Sequence, residues 1–335
     1  MDAKKKIAIA LMSGGLDSIL AAKIIADLGR FLVVGYHFHH PFLQKASQVG
    51  ITAVESQARS IGIPLIIDSD YTGFIEMTKN PIYGRGKGAN PCRDCRIFIL
   101  KRANRILKAL GGDFLVSGEV VGQRPMSQMK NWLLMIEKEA GVSGILLRPL
   151  SAKILNPSLP EKEGWISPQE LYDFSGRSRK DQIVLAQKME ISEYPTPAGG
   201  CLLTEKSFST RYFDLIKHCP KFGLDELKTL KLGRHLRLPS GIKVIIARDK
   251  IESEIIYAYI GISWVMTTSN IPGPYALLDR EPDSAEILEI GALIASYSKA
   301  RCEKSVEILI FPPKGVQKTE SVKPADKAEY SNYLL

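Results

Sequence analysis

The residues best suited to chemistry lie at positions 13–18, where the sequence reads S-G-G-L-D-S: Ser13, Gly14, Gly15, Leu16, Asp17 and Ser18. Two glycines let a backbone approach an anion closely, and amides at the start of a helix would point at it. Asp17 would repel a phosphate unless it holds a Mg²⁺ ion that bridges phosphates. No Gly-Lys-Ser/Thr follows, so this is not a Walker loop. The motif predicts a site for Mg²⁺ and ATP; the alternative is a glycine turn with Asp17 as helix N-cap.

Three cysteines form a second candidate site. Cys92 and Cys95 lie in N-P-C-R-D-C-R, where a helix start and the neighbouring Arg93 and Arg96 would lower the thiol pKa values, and Cys201 follows P-A-G-G. Three thiolates could hold three irons of a [4Fe–4S] cluster and leave the fourth iron open for sulfide. Other interpretations stay open: a metal-free persulfide carrier and resolving pair, a structural role, or a zinc site with His37 or His39 as fourth ligand.

Strand and helix patterns alternate around both motifs. Residues 6–12 predict a buried strand that ends at the glycines, and residues 17–28 predict the helix that follows. Further strands are predicted at 31–38, 63–67, 114–117 and 145–150, with helices at 53–61 and 95–110. Such alternation predicts an α/β fold with a doubly wound parallel sheet, in which ligands bind at the carboxyl ends of the strands.

After Cys201 the pattern becomes that of a smaller α+β domain, with helices predicted at 208–217 and 285–298 and strands at 231–238, 243–247, 275–278 and 305–311. The predicted domains are therefore 1–205 and 206–312. Residues 313–335, rich in Lys, Glu, Ser and Pro, are predicted to form a disordered tail.

The composition favours an anionic partner. The net charge is +9, which suits RNA or an anionic substrate. Two basic segments, 85–108 and 221–250, supply the candidate RNA-binding residues Arg93, Arg96, Lys101, Arg102, Lys231, Arg234 and Arg237. No run approaches the ~18 apolar residues of a membrane span, and residues 7–12 are too short for a signal peptide. We therefore expect a cytoplasmic protein without a membrane partner.

Four motifs, in order, resemble the catalytic domain of ThiI-type tRNA 4-thiouridine synthases, a family of PP-loop ATP pyrophosphatases. They are residues 13–18, F-H-H-P-F at 38–42, S-G-E-V-V-G-Q-R-P-M-S-Q at 117–128 and R-P-L at 148–150. The resemblance covers about 5–205 and implies an adenine nucleotide alpha hydrolase-like fold. It implies that Gly118 and Gln123 contact ATP, and it places Lys153 where that family has an essential lysine. The N-P-C-x-x-C segment is instead similar to 2-thiouridylases and cluster-dependent tRNA thiolases.

The C-terminal part resembles the NFACT-R RNA-binding domain over about 225–311. The similar segments are L-G-R-H-L-R-L at 232–238, residues 244–249, I-P-G-P at 271–274 and A-L-I-A-S-Y-S-K-A-R at 292–301. The family's Gly-Ser-His motif is replaced here by Gly273, Pro274 and Tyr275.

Together the motifs predict ATP-dependent tRNA uridine thiolation, in which a carbonyl is adenylated and then receives sulfur. The predicted catalytic residues are Asp17, Cys95, Cys201 and Lys153, with Glu119, Gln123 and Gln128 positioning the base or nucleotide. The predicted cofactors are ATP, Mg²⁺ and a [4Fe–4S] cluster. The expected partners are tRNA and a sulfur donor, a cysteine desulfurase or sulfide, and a homodimer is left open. The alternatives are a PP-loop enzyme that adenylates a small-molecule carbonyl or carboxylate, and a non-catalytic RNA-binding adaptor.

Overall fold

Two sheets organise the chain in the computed structural model, which describes residues 5–43, 51–192, 194 and 200–335. Contacts between Cα atoms divide the chain into two compact units, Met1–Glu205 and Lys206–Leu335. Within the described ranges, no helix is both long and apolar enough to cross a membrane.

The first unit is built on a parallel sheet with strand order β3-β2-β1-β4-β5. The apolar side chains of β1 and β4 are almost fully buried, as expected for central strands covered on both faces. The strand order reverses between β1 and β4, which is where open α/β sheets form their ligand crevice. The strands are β1 (Lys6–Leu11), β2 (Phe31–Phe38), β3 (Leu65–Asp68), β4 (Phe114–Ser117) and β5 (Leu146–Leu147).

Helices connect and cover these strands. The first helix buries nine of its residues, including Ile19, Leu20 and Ile25, and joins the main apolar cluster of the unit. The helices are α1 (Leu16–Asp27), α2 (Ile51–Ser60), α3 (Phe74–Lys79), α4 (Cys92–Ala109), α5 (Lys130–Ala140), α6 (Leu159–Lys162) and α7 (Lys180–Lys188). Short 3₁₀ turns occupy Ala152–Ile154, Pro168–Glu170 and Leu202–Thr204.

The second unit is built on an antiparallel sheet with strand order β11-β10-β8-β9-β7-β6. Its core lies between one sheet face and the largely buried helix α11. The strands are β6 (Arg234–Arg237), β7 (Lys243–Ile246), β8 (Val265–Thr268), β9 (Ala276–Leu278), β10 (Val306–Phe311) and β11 (Lys318–Val322). The helices are α8 (Lys206–His218), α9 (Leu224–Thr229), α10 (Lys250–Tyr257) and α11 (Ser284–Tyr297), and a 3₁₀ helix spans Lys327–Tyr333.

The predicted fold class is confirmed, but the predicted disorder of residues 313–335 is not what the structure contains. Strand β11 pairs with β10 along its whole length, and Val322 packs against Gly291 of α11. Only Val322 of the five β11 residues is buried. The strand is therefore held mainly by backbone pairing with β10, which composition does not reveal.

Candidate active site

The predicted phosphate-binding motif lies between β1 and α1, at the carboxyl edge of the sheet. Gly14 has φ 80°, a left-handed conformation that glycine adopts without penalty. The Ser18 hydroxyl donates to the Gly15 carbonyl at 2.8 Å and accepts from the Ser13 amide at 3.2 Å. These contacts fix a tight loop in which the Ser18 and Ile19 amides already donate to the Gly15 carbonyl, so Leu16 and Asp17 carry the amides that a helix start leaves without an intrahelical partner.

Gly118, directly after β4, touches the backbone of this loop. A Cβ atom added at Gly118 would lie 2.2 Å from the Asp17 carbonyl oxygen and 2.6 Å from the Ser18 nitrogen. Only a residue without a side chain allows this approach. The first turn of α1 therefore rests directly on the chain that leaves β4.

Asp17 is held from one side only. Its Oδ2 atom accepts from Gln123 Nε2 at 3.1 Å and from Arg179 Nη2 at 3.2 Å. Its Oδ1 atom is buried and has no partner in the described ranges. A carboxylate oxygen left unpaired beside a phosphate-binding loop fits a hard cation such as Mg²⁺. Arg179 carries no recognised motif, and the only sequence signal for it is the basic loop S-G-R-S-R before α7.

A cavity of about 270 Å³ brings the loop and the cysteines together. Its walls include Ser13, Gly15, Asp17 and Ser18 of the loop together with all three candidate cysteines. Gly118, Glu119, Gln123 and Gln128 from the segment after β4 line the same cavity. The phosphate-binding loop and the cysteine motif, which are far apart in the sequence, thus line one cavity.

The cysteines reach the cavity from two segments. Cys92 and Cys95 lie in the first turn of α4, and the Cys92 thiol donates to Asn90 Oδ1 at 3.0 Å. Cys201 is positioned by an isolated bridge to Leu43, and the neighbouring Leu202 amide donates to the Phe42 carbonyl at 2.9 Å. Most of the P-A-G-G turn before Cys201, residues 197–199, lies outside the described residues.

The expected lowering of the thiol pKa values is wrong. Burial raises the pKa of Cys92 against the opposing charges of Arg124 and Arg93. Burial, together with the nearby Cys201 and Cys92 thiols, also raises the pKa of Cys95, and burial raises the pKa of Cys201 to about 12. The arginines do not prevent this because the cavity wall removes the thiols from water, which disfavours their charged form.

The three cysteines are the right type of ligand for an iron–sulfur cluster, but their side chains are not positioned around a common metal site. Three soft thiols on one cavity are the ligands that iron–sulfur clusters use. However, the described residues contain no group of three or more His, Cys, Asp or Glu side chains placed to hold a metal ion. His37, a candidate zinc ligand, is 1% exposed and its Nδ1 atom lies 2.8 Å from the Met12 carbonyl oxygen. Since a carbonyl only accepts, Nδ1 donates, and burial lowers the pKa of this histidine.

Glu119 anchors an interior ion-pair network. Its Oε1 atom accepts from Arg96 Nε at 2.7 Å, and its Oε2 atom accepts from Arg148 Nε at 3.0 Å. Burial alone would raise the pKa of Glu119, but Arg96 and Arg148 outweigh it and hold the pKa at about 2. Arg148 also pairs with Glu137. Glu119 thus stabilises the segment after β4, and Arg96, expected to contact RNA, is instead committed to this network.

Lys153 does not reach the cavity. It lies on the Ala152–Ile154 turn with its side chain exposed, while Ser151 and Ala152 beside it take the buried positions. The Lys153 amide donates to the Tyr172 carbonyl at 3.1 Å, which fixes the turn. The structure therefore does not bring the lysine that the family resemblance implied together with the other predicted site residues.

Comparisons with known proteins identify the second unit. Residues 233–334 match the family model of the NFACT protein RNA binding domain. The predicted resemblance of the C-terminal part is therefore confirmed, and the match extends into the segment predicted to be disordered.

One curated protein resembles part of the chain. An uncharacterized protein of Methanocaldococcus jannaschii, MJ1016, is 25% identical over 145 residues, 43% of this chain. The chain spans about half the length of this curated relative, 47% of it.

Three solved structures are similar to parts of the chain. The U34-tRNA thiolase NcsA from Methanococcus maripaludis with its [4Fe–4S] cluster is 15% identical over 68% of this chain and 71% of that one, with a TM-score of 0.35. A 4-thiouridine synthetase in complex with RNA and ATP is 22% identical over 55% of this chain and 53% of that one, with a TM-score of 0.35. The C-terminal part of the fibronectin/fibrinogen-binding protein from Streptococcus suis is 13% identical over 53% of this chain and 84% of that one, with a TM-score of 0.27. With TM-scores below 0.5, these overlaps are too partial to assign an activity or a ligand.

Among the RNA-binding candidates of the NFACT-matched region, Arg234 and Arg237 differ sharply. Arg237 is 15% exposed at its side chain and pairs with Asp214 and Asp279 at 2.7 and 2.8 Å. Arg234 lies over the Tyr297 ring at 4.9 Å and forms no ion pair in the described ranges. Arg234 therefore remains available to an anion, whereas Arg237 ties strands and helix together.

The candidates in the first unit divide in the same way. Arg102 is 17% exposed and pairs with Asp68 at 2.6 Å and Asp70 at 3.0 Å. Lys101 is exposed, and Arg93 lies 4.2 Å over the ring of Trp132. The acidic partners of Arg102 lie more than thirty residues away in the sequence. The local sequence therefore shows only a basic segment, and this is why Arg102 was expected to contact RNA. Lys231 in the second unit is half-buried.

Proposed function

We propose that the chain is an ATP-dependent tRNA uridine thiolation enzyme. One observation carries the proposal: a single cavity is lined by the phosphate-binding loop and by Cys92, Cys95 and Cys201. An enzyme that adenylates a carbonyl and then transfers sulfur to the same carbon needs nucleotide and thiols within reach of one base. The NFACT-matched region supports RNA as the carrier of that base, and the net charge of +9 agrees.

Adenylation makes a poor leaving group into a good one. The uridine carbonyl oxygen attacks the α-phosphorus, a new O–P bond forms, and the bond to the bridging oxygen breaks so that pyrophosphate leaves with the electron pair. The amides of Gly15 and Leu16 would face the charge that develops on the phosphate oxygens. The Ser13 hydroxyl, which donates to Ser18 Oγ at 3.2 Å, could turn and donate to a phosphate oxygen instead, while the Ser18 hydroxyl holds the Gly15 carbonyl.

Asp17 would hold Mg²⁺ through its unpaired Oδ1 atom, while Gln123 and Arg179 keep Oδ2 in place. When bound, the ion would offset the charge of the β- and γ-phosphates as pyrophosphate departs. Arg179 also lines the cavity and would add a positive charge beside the phosphates. Gln123 would orient the Asp17 carboxylate; the ATP contact that the motif implied for it stays a prediction.

Sulfur then replaces the activated oxygen. Cys92, Cys95 and Cys201 would supply the three thiolates that hold a [4Fe–4S] cluster, which would supply sulfur from the donor in a nucleophilic form. The sulfur adds to the ring carbon, the C–O bond breaks, and AMP leaves with that oxygen. In the metal-free alternative, a persulfide on Cys95 or Cys201 attacks. The thiol of the other cysteine then attacks the inner sulfur, the bond between the two persulfide sulfurs breaks, and the thiolated uridine leaves as a disulfide forms between the cysteines. A thiol reductant must return that disulfide to two thiols.

Pyrophosphate release from ATP tests the first half of the proposal. We expect release that tRNA stimulates, and we expect Asp17→Asn to lower it by about a hundredfold or more, since a metal ligand is lost. The control is Asp27→Asn, which changes an exposed aspartate paired with Lys23 on the same helix. Release that ignores tRNA would favour a small-molecule enzyme. No release by the wild-type chain would favour an adaptor.

Iron and sulfide analysis of anaerobically purified protein tests the second half. We expect both elements with broad visible absorbance, and their loss in Cys95→Ser and Cys201→Ser variants. The control is Cys302→Ser, because Cys302 is exposed and does not line the cavity. An iron-free preparation that still thiolates tRNA would replace the cluster with the persulfide route. Mass spectrometry of tRNA nucleosides would identify the thiolated product in either case.

A further inference from the structure

A second cavity lies entirely within the NFACT-matched region. It is an open cleft of about 1,100 Å³, and every residue that lines it falls between Arg234 and Lys327. The segments at its walls come from the strand end after β7, the start of α10, the loop before β9 and the end of α11. All of these segments except the start of α10 overlap the stretches on which the sequence resemblance to the RNA-binding domain rests. Their meeting at one cleft shows where the region's ligand surface can lie.

The cleft has an excess of positive charge. Six lysine or arginine residues line it, against two acidic residues. Two of the cations are partly neutralised, because Arg248 pairs with Glu252 and Lys250 lies 3.8 Å from Glu254. The remaining four have no ion-pair partner in the described part of the chain: Arg234, Lys299, Arg301 and Lys327. Clustered cations without acidic partners are the usual contacts of a phosphodiester backbone.

Tyrosines are interleaved with these cations. The Tyr297 ring carries Arg234 at 4.9 Å and Lys327 at 4.5 Å, so its face orients two of the unpaired cations. Tyr257 and Tyr275 meet edge to face, with ring centroids 5.6 Å apart and planes at 86°. Tyr257 is 57% exposed. The exposed part of the Tyr257 ring, held in place by its contact with Tyr275, is a surface on which a base can stack.

We propose that this cleft binds a single-stranded RNA segment, with Lys299, Arg301 and Lys327 on the phosphates and Tyr257, supported by Tyr275, stacking an unpaired base. Charge alone would suit any RNA, but stacking on an exposed tyrosine requires a base face that a duplex keeps covered. The cleft therefore discriminates strandedness rather than sequence. The proposal rests on the RNA role of the proposed function and names the form of RNA that the second unit takes.

Stacking is tested with Tyr257→Ala in the full chain. The probe is a short fluorescein-labelled polyuridine strand, followed by fluorescence anisotropy, and the comparison probe is a short RNA duplex. We expect Tyr257→Ala to weaken binding of the single strand about tenfold, the loss of one stacked base, and to leave duplex binding unchanged. Tyr257→Phe keeps the ring and should bind like wild type. Equal affinities of the Ala and Phe variants for the single strand would overturn the stacking role.

Phosphate contact is tested by salt dependence. The double variant Lys299→Ala/Lys327→Ala should reduce the slope of log K against log salt for the single strand by about 1.4, at about 0.7 per phosphate contact. The control is Lys221→Ala/Lys314→Ala, which removes the same charge from exposed lysines that do not line the cleft. Identical slopes for the two double variants would show that only overall charge matters and would refute the cleft.

These measurements separate the cleft from the catalytic proposal. Oligonucleotide binding needs neither ATP nor sulfur, so it is measurable even if the cavity of the first unit has another activity. Conversely, the Tyr257→Ala/Lys299→Ala variant could keep both its RNA affinity and its tRNA-stimulated pyrophosphate release. That result would overturn the RNA-binding role of the cleft and leave the thiolation proposal standing.

Discussion

Gly118→Ala tests whether the segment after β4 builds the phosphate-binding loop. The added Cβ would lie 2.2 Å from the Asp17 carbonyl oxygen, 2.4 Å from the Asp17 carbonyl carbon and 2.6 Å from the Ser18 nitrogen. All three atoms belong to the backbone, so no flexible side chain can turn away. To reach an ordinary contact, the loop and the segment must separate by about 1 Å. The first turn of α1 would carry Asp17 away from Gln123 and Arg179.

Two effects of known size follow from this displacement. Inserting a methyl group into a packed site costs about 1–3 kcal/mol of unfolding free energy, which for a unit of this length lowers the melting temperature by about 2–12 °C. A shift of about 1 Å in catalytic groups costs about a hundredfold in rate. We therefore expect Gly118→Ala to lose both stability and tRNA-stimulated pyrophosphate release. Gly86→Ala is the control, since its added Cβ meets nothing closer than 3.5 Å.

The assay combines thermal unfolding, with and without ATP and Mg²⁺, and the release of pyrophosphate. A wild-type melting temperature together with the wild-type stabilisation by ATP would refute the argument that Gly118 supports the loop. A Gly118→Ala variant that loses stability but keeps full pyrophosphate release would show that activity does not depend on the contact between Gly118 and the phosphate-binding loop.

Four further perturbations probe the same contacts. Gly15→Ala should leave stability unchanged, because its Cβ would meet only the Ser13 hydroxyl at 3.6 Å, yet weaken ATP binding in calorimetry by occupying the phosphate cradle. Arg179→Ala should weaken ATP binding about tenfold, while the exposed, non-lining Arg177→Ala should not. Glu119→Gln should lower the unfolding free energy by about 3 kcal/mol at pH 7, because the folded protein holds the pKa of Glu119 at about 2. In chemical denaturation at different pH values, this difference from wild type should shrink as the pH falls from about 5 towards 2. Arg237→Ala should cost about 2 kcal/mol of stability without changing RNA affinity more than Lys314→Ala does.

Much of the first unit could be predicted because its signals are local. An apolar run, two glycines and a largely apolar helix lie within about twenty residues, and together they specify β1, the loop and α1. The strand Phe31–Phe38 has the predicted bounds for the same reason. Cys92 and Cys95 could be placed at a helix start from their neighbours alone, although the helix begins at Cys92 rather than at Cys95.

Charged residues were harder to interpret because their partners are distant in sequence. Arg96 pairs across 23 residues with Glu119, Arg102 across 34 with Asp68, and Arg237 across 23 with Asp214. Each arginine belongs to a locally basic segment, so composition predicted an RNA surface, whereas the fold uses each one inside an ion pair. The thiol pKa values were misjudged for the same reason, since burial is a property of the assembled cavity.

The arrangement of charge in the cavity supports an anionic ligand beside the thiols. Arg96 and Arg148 face Glu119 and are neutralised, and Arg179 is shared with Asp17. Arg124 lines the cavity and forms no ion pair in the described ranges. Its charge opposes the raised pKa values of both Cys92 and Cys201, so it lies within electrostatic reach of two thiols. Arg124 is exposed to solvent and lines the same cavity as the thiols and the loop, so a phosphate group could pair with it without first breaking an ion pair. In the proposed reaction, AMP is the group that leaves when sulfur attacks the uridine carbon, and its phosphate would then lie against Arg124.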